Sequence, residues 1–138
     1  MSKSQPFDGL TVVDFTHVLA GPACAYFLSL LGADVIKVES AGRGDAIRHR
    51  GGTDESAAGI GMSTSYLTQA AGKRSLAIDL ENPGDLELFH RLLEHADVLV
   101  ENHVPSTLRR LGLDEASLSR RHPRLIHCAM TVSYTHLR

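Results

Sequence analysis

Leu10–Glu39, LTVVDFTHVLAGPACAYFLSLLGADVIKVE, is the stretch that decides how the rest of the chain reads. Leu10, Val12, Val13 and Phe15 form a short apolar run of strand-forming types, interrupted by Asp14. Gly21-Pro22 then breaks the chain. Pro22 suits a first helical position, where its missing N–H would have had no partner. Ala23 to Leu31 follows with only Ser29 polar, which predicts a helix buried on nearly every side. Gly32 fits the C-cap. Asp34-Val-Ile-Lys-Val-Glu39 predicts a second strand. Two strands joined by so short a helix run parallel, through a right-handed crossover.

The turn Thr16–Gly21 therefore lies at the C-terminal end of a parallel strand and enters a helix N-terminus. Free backbone N–H groups and the positive end of the helix dipole gather there, which favours a phosphate or another anion. Open α/β sheets take their ligands along this edge. The same spacing also suits a plain βα turn that binds nothing.

Downstream, Ser40–Ser65 is rich in glycine and charge and poor in large apolar residues, and it reads as a long loop. Arg43, Arg48 and Arg50 make it locally basic, so it is either a solvated segment or a flap over an anionic ligand. Tyr66–Gly72 reads as a short helical or irregular piece, and Ser75–Leu80 as a third strand. Asn82 and Pro83 open a helix whose core face is Leu86, Phe89, Leu92, Leu93 and Ala96. Asp97–Asn102 predicts a fourth strand. Pro105–Leu111, closed by Gly112, and a piece from Leu113 to Ser119 predict short helices, and Arg124–Met130 a fifth strand. The fold class is α/β: a mainly parallel, Rossmann-like sheet with flanking helices.

With 138 residues, 43% hydrophobic and 22% charged, the chain is long and apolar enough for one domain with a core. A net charge of −2 excludes nucleic-acid binding by bulk charge. Met1–Asp8 does not read as a secretory leader, and the helical part of Phe15–Ala33 is too short for a bilayer. Cys24 and Cys128 make no CxxC pair. A cytoplasmic protein without nucleic-acid or membrane partners is expected.

Eight histidines raise the question of a metal, but no HExxH or Cys/His cluster occurs and no metal site is expected. No nucleophile elbow is present. Glu39 stands where an NAD-binding fold places its ribose carboxylate, yet the glycine fingerprint before it is missing. Candidate groups gather instead at three strand ends: His17–Ala20, Lys73-Arg74 and Glu101-Asn102-His103, with Arg43 and Arg110 able to add charge.

DFTHVLAGPAC at 14–24, LGADVIKVE at 31–39, GKRSLAIDL at 72–80, ADVLVEN at 96–102 and LRRLGL at 108–113 together resemble the N-terminal part of the class III CoA-transferase family. That group includes formyl-CoA:oxalate and carnitine CoA-transferases and also α-methylacyl-CoA racemase. The resemblance runs from about Phe7 to Met130. It implies a partial CoA-binding α/β domain over 1–131, from an enzyme that moves CoA between carboxylic acids. It implies a CoA site lined by Val18, Leu19, Ala20, Lys73, Asn102, His103 and Arg110. Ser40 stands where a basic residue is often found, so Arg43 is expected to substitute, and His103 stands where phenylalanine is usual. CoA is then a substrate, no separate cofactor is implied, and the second substrate is a small carboxylic acid.

The resemblance further implies an aspartate nucleophile beyond this chain's end, an aspartyl-anhydride and thioester mechanism, and an interlocked homodimer for the complete protein. No catalytic residue is assigned within the chain, which alone is expected to be inactive. The alternatives are a racemase-like member acting on an α-methylacyl-CoA and a non-catalytic, NAD-type nucleotide-binding module. Residues 132–138 depart from the family pattern and are expected to be a foreign or disordered tail.

Overall fold

The computed structural model describes residues 4–50 and 54–130. The tail expectation for 132–138 lies outside them. Five strands form one sheet: β1 (Thr11–Phe15), β2 (Asp34–Ser40), β3 (Arg74–Ile78), β4 (Val98–Glu101) and β5 (Ile126–Ala129). Their order is β3-β2-β1-β4-β5. Every pairing is parallel, with Val13 opposite Ile36 on one side and Leu99 on the other. This is the Rossmann order through its fifth strand, built outward in both directions from β1.

Successive strand residues point to opposite faces, so each strand supplies two layers. On one face Val13, Phe15, Val38, Ile78 and Leu99 pack against α4 (Pro83–Glu94), α5 (Pro105–Leu111) and α6 (Glu115–Arg121). Asn82 caps α4, accepting hydrogen bonds from the Gly84 and Asp85 N–H groups, with Pro83 in the first turn as the sequence predicts. Gly112 closes α5 in the left-handed conformation, which glycine adopts without a Cβ penalty.

On the other face Val12, Val35 and Val100 meet Ala25 of α1 (Ala20–Leu30) and the adjoining Ala33. Two expectations are corrected here. First, α1 begins at Ala20, so Pro22 is its third residue. The proline is tolerated because first-turn N–H groups have no intrahelical acceptor. Second, α1 is not buried all round. Gly21, Pro22 and Ala25 are buried, but Phe27 is 62% and Leu30 54% exposed. An all-apolar helix states a preference for burial; only neighbouring elements can meet it.

The segment after β2 is also more ordered than a loop. Its described residues form a 3-10 turn (Ala46–His49), α2 (Glu55–Gly59) and α3 (Thr64–Ala70), each opened by a side-chain cap from Asp45, Asp54 or Ser63. Glycine and charge mark the breaks between these short elements. Asx and Ser caps supply the local order that the composition hides.

Candidate functional site

The C-terminal tips of β1, β2 and β3, the 3-10 turn and α5 enclose a cleft of about 360 Å³. It lies beside the point where the chain leaves β1 for one face of the sheet and β4 for the other. That is the switch point at which such sheets hold ligands. Phe15, Val38, Ile78, Leu80 and Leu111 give it apolar walls, and His17, His103 and Arg110 are among its polar lining. The His103 ring stacks on Phe15 at 4.0 Å between centroids and lies 5.0 Å from the His17 ring. Burial, helped by the nearby His17 and opposed by Glu101, pushes the His103 imidazole below its ordinary range, so it is neutral near pH 7.

Each residue expected at the site can now be placed. His103 and Arg110 line the cleft. Arg110 pairs with Glu81 in an exposed salt bridge, which costs little to exchange for another anion. Asn102, the residue after β4, props the β1–α1 turn: its Oδ1 accepts from His17 N–H at 3.0 Å and its Nδ2 donates to His17 C=O at 2.9 Å. Val18, Leu19 and Ala20 form the exposed lip of that turn, at the entry to α1. Arg43 is exposed and makes no ion pair among the described residues.

Lys73 lies inside the protein, under the turn. Its ammonium donates to Asp14 Oδ2 and to Pro22 C=O, both at 2.7 Å, with the side chain 1% exposed. Burial lowers its pKa and Asp14 opposes that. Asp14, which interrupts the apolar run of β1, also accepts hydrogen bonds from the N–H and hydroxyl of Thr16. Lys73 therefore ties the start of β3 to the tip of β1 and the first turn of α1. Gly21 completes that junction. A Cβ placed there would stand 2.5 Å from Thr16 Cβ, so glycine is required for the close approach of helix and strand.

A second buried set was missed from the sequence. Lys37 donates to Thr16 C=O at 3.0 Å and to Asp45 Oδ2 at 3.1 Å. Asp45 accepts from the N–H groups of Val18, at 3.1 Å, and Ile47, at 3.0 Å. Burial is the largest influence on the Asp45 carboxyl and would raise it. The Ile47 N–H, the Lys37 charge and the Val18 N–H together outweigh burial and hold it below the ordinary range. Glu39 behaves alike: burial opposes, but Arg48 and the Asp45 N–H hold its carboxyl low. Arg48 binds it through Nε and Nη2 and lies 3.9 Å from the centre of the Tyr66 ring. Among the described residues no buried side-chain nitrogen or oxygen lacks a hydrogen-bond partner. The signal for this network was in the strand itself. Lys37 and Glu39 occupy alternate positions of β2, hence one face, and both are buried.

The network surrounds an unusual backbone. Val18 has φ +73°, the one non-glycine residue with positive φ among those described. A β-branched residue there costs on the order of 1–3 kcal/mol and persists only where its surroundings impose it.

A profile of CoA-transferase family III matches residues 7–133. The chain belongs to CoA-transferase family III. It is 40% identical over 132 residues to the succinate–glutarate CoA-transferase of Agrobacterium fabrum, covering 94% of this chain and 33% of that protein. It is 36% identical over 135 residues to the succinyl-CoA:glutarate CoA-transferase of Homo sapiens, covering 95% and 29%. Among solved structures, a CAIB/BAIF family protein from Brucella suis superposes with a TM-score of 0.80 at 37% identity, over 92% of this chain and 33% of that one. A hypothetical protein from Mycobacterium tuberculosis gives 0.79 at 37%, over 91% and 33%. The chain thus spans about a third of the length of the family relatives it matches. Among the described residues no helix is long and apolar enough to cross a membrane, and no group of three or more His, Cys, Asp or Glu could hold a metal.

Proposed function

We propose that this chain is the CoA-binding part of an enzyme that moves CoA between carboxylic acids. The observation that carries the reading is the apolar-walled cleft at the strand tips, with the stacked His103 and Arg110 in its lining and Thr16 and His17 reaching it from the start of the β1–α1 turn. In this reading the adenine extends the Phe15–His103 stack and Arg110 exchanges Glu81 for a phosphate. Val18, Leu19 and Ala20 border the nucleotide, Arg43 closes over it, and Asn102 and Lys73 shape the turn. An NAD-type module is disfavoured by Glu39, whose carboxylate is taken up by Arg48 and the Asp45 N–H.

Transfer needs a carboxylate nucleophile at the thioester. That carboxylate attacks the acyl carbon and releases the CoA thiolate, leaving a mixed anhydride. The thiolate then attacks the enzyme's own carbonyl, expels the first acid and forms an enzyme thioester. The second acid and the thiolate repeat the two displacements in reverse order. Here the buried acids already have partners: Asp14 pairs with Lys73, Asp45 with Lys37 and Glu39 with Arg48, and Glu101 accepts from the His103 N–H. In this reading the nucleophile comes from sequence outside this chain, and the complete enzyme acts on an acyl-CoA and a small carboxylic acid.

A racemase-like reading has one observation in its favour, the neutral His103 beside His17 in the cleft, which could accept a proton. Calorimetry of the 138-residue chain should show CoA binding and much weaker NAD binding. The chain alone should turn over no acyl-CoA. Equal or stronger NAD binding would overturn the CoA reading. Deuterium uptake at the α-carbon of an acyl-CoA, catalysed by the chain, would favour the racemase instead.

A further inference from the structure

We propose that Asp45, held in place by Lys37, is a positioning residue that clamps Val18 in its left-handed conformation and so sets the shape of the ligand-facing turn; this rests on the reading of that turn as the edge of a CoA site. The clamp acts on both sides of the Val18 backbone. Beneath the N–H stands the Asp45 carboxylate, at 3.1 and 3.3 Å. On the carbonyl side stands the Gln69 amide; assigned with its nitrogen toward the turn, the orientation that satisfies both of its polar atoms, it donates to Val18 C=O at 3.2 Å and Leu19 C=O at 3.0 Å. Asp45 and Gln69 are only 3% and 7% exposed, while Val18 and Leu19 are 44% and 60% exposed. Buried polar groups thus grip the backbone from inside and leave its outer surface free.

Lys37 completes the device. Its side chain is 3% exposed, and it holds both Asp45 and Thr16 C=O, two residues before Val18. The turn is fixed at Thr16, Val18 and Leu19 by groups from β2, the residue before the 3-10 turn, and α3. A branched residue does not hold positive φ unaided, whereas glycine does. If the clamp serves the conformation of Val18, replacing Val18 by glycine makes the clamp dispensable. A role only in general stability gives no such dependence.

The test uses the 138-residue chain and two readouts, amide hydrogen exchange at Val18 by NMR and calorimetric titration with CoA. Asp45→Asn should speed exchange at Val18 by about tenfold or more, with Val12 and Val13 still protected, and should weaken CoA by about tenfold. In a chain that also carries Val18→Gly, the Asp45→Asn loss of CoA affinity should shrink to about threefold or less. If Asp45→Asn does not fold, the double variant Lys37→Met/Asp45→Leu, which strands no charge, takes the same measurements. Unchanged exchange at Val18 overturns the clamp. An equal loss of CoA affinity with and without Val18→Gly overturns the positioning role. If the unaltered chain binds no CoA, the ligand reading falls, and exchange at Val18 alone decides the clamp.

Discussion

The two faces of this sheet are held by different physics. Under α4, α5 and α6 the contact is apolar, with Phe89, Leu93, Leu108 and Leu113 closing over Val13, Val38 and Leu99. Under α1 and α3 a small apolar patch around Val12, Val35 and Ala25 gives way, toward the strand tips, to Asp14, Lys37 and Glu39 with their partners. The same strands build both faces by alternation. Apolar contact is non-directional and tolerates slippage. Ion pairs that also grip backbone groups fix the position of what they hold. The polar face lies behind the β1–α1 turn and holds its backbone at Thr16 and Val18.

Phe89, fully buried on the apolar face, gives the largest expected effect. Phe89→Ala should cost about 3–5 kcal/mol in denaturant unfolding. A loss under about 1 kcal/mol would mean that this face is not the stabilising one.

On the polar face, Lys73→Met leaves Asp14 buried and unpaired and should cost about 3 kcal/mol. Adding Asp14→Leu should recover most of it, because the stranded charge is then gone. No recovery would show that Lys73 and Asp14 do not act as a pair.

Acid should separate the faces more gently. On the apolar side His90 and His122 hydrogen-bond to each other at 3.0 Å. Burial, then the nearby Arg121, lowers both imidazoles, with Glu87 and Glu94 opposing. The unfolded chain therefore binds more protons. Their stabilisation is complete above about pH 6.5 and is lost as pH falls below it. The lowered carboxyls of Asp45 and Glu39 contribute above about pH 4 and are lost only as pH falls further. Melting temperature followed from pH 7 to 3 should fall in these two stages, and His122→Gln should flatten the first. A first stage unaffected by that change would remove the histidine pair from the account.

The smallest effect is on the outer side of α1. Phe27→Ser should change stability by only about 0.5 kcal/mol and reduce aggregation in light scattering.

How far the sequence could be read follows the same division. The apolar face was legible because periodicity reports burial: Phe89 and Leu93 stand at helical spacing behind an Asn-Pro start. The parallel α/β sheet also followed from β-α-β alternation, whereas the spatial order β3-β2-β1-β4-β5 was read only from the structure. The outer side of α1 was legible only as a preference: Phe27 and Leu30 call for burial, and among the described residues no element provides it. The polar network was missed because its meaning is non-local. Lys37 and Asp45 are eight apart, Asp14 and Lys73 fifty-nine. A charged residue in a strand reads as an interruption until its partner is known. Lys73 was singled out as a ligand-site residue; its burial against Asp14 could not be read from spacing.

The bare α-carbon of Gly21 gives the chain one position with almost no alternatives. Every other residue would bring a Cβ within 2.5 Å of Thr16, against the root of a side chain rather than a flexible end. Gly112 makes the opposite demand: its φ is +66° but nothing stands within 4 Å, so the restriction is on backbone angle alone. Asparagine, which tolerates that angle, can serve at Gly112. In a saturation library Gly112 would keep a short roster of survivors, whereas Gly21 would keep only itself.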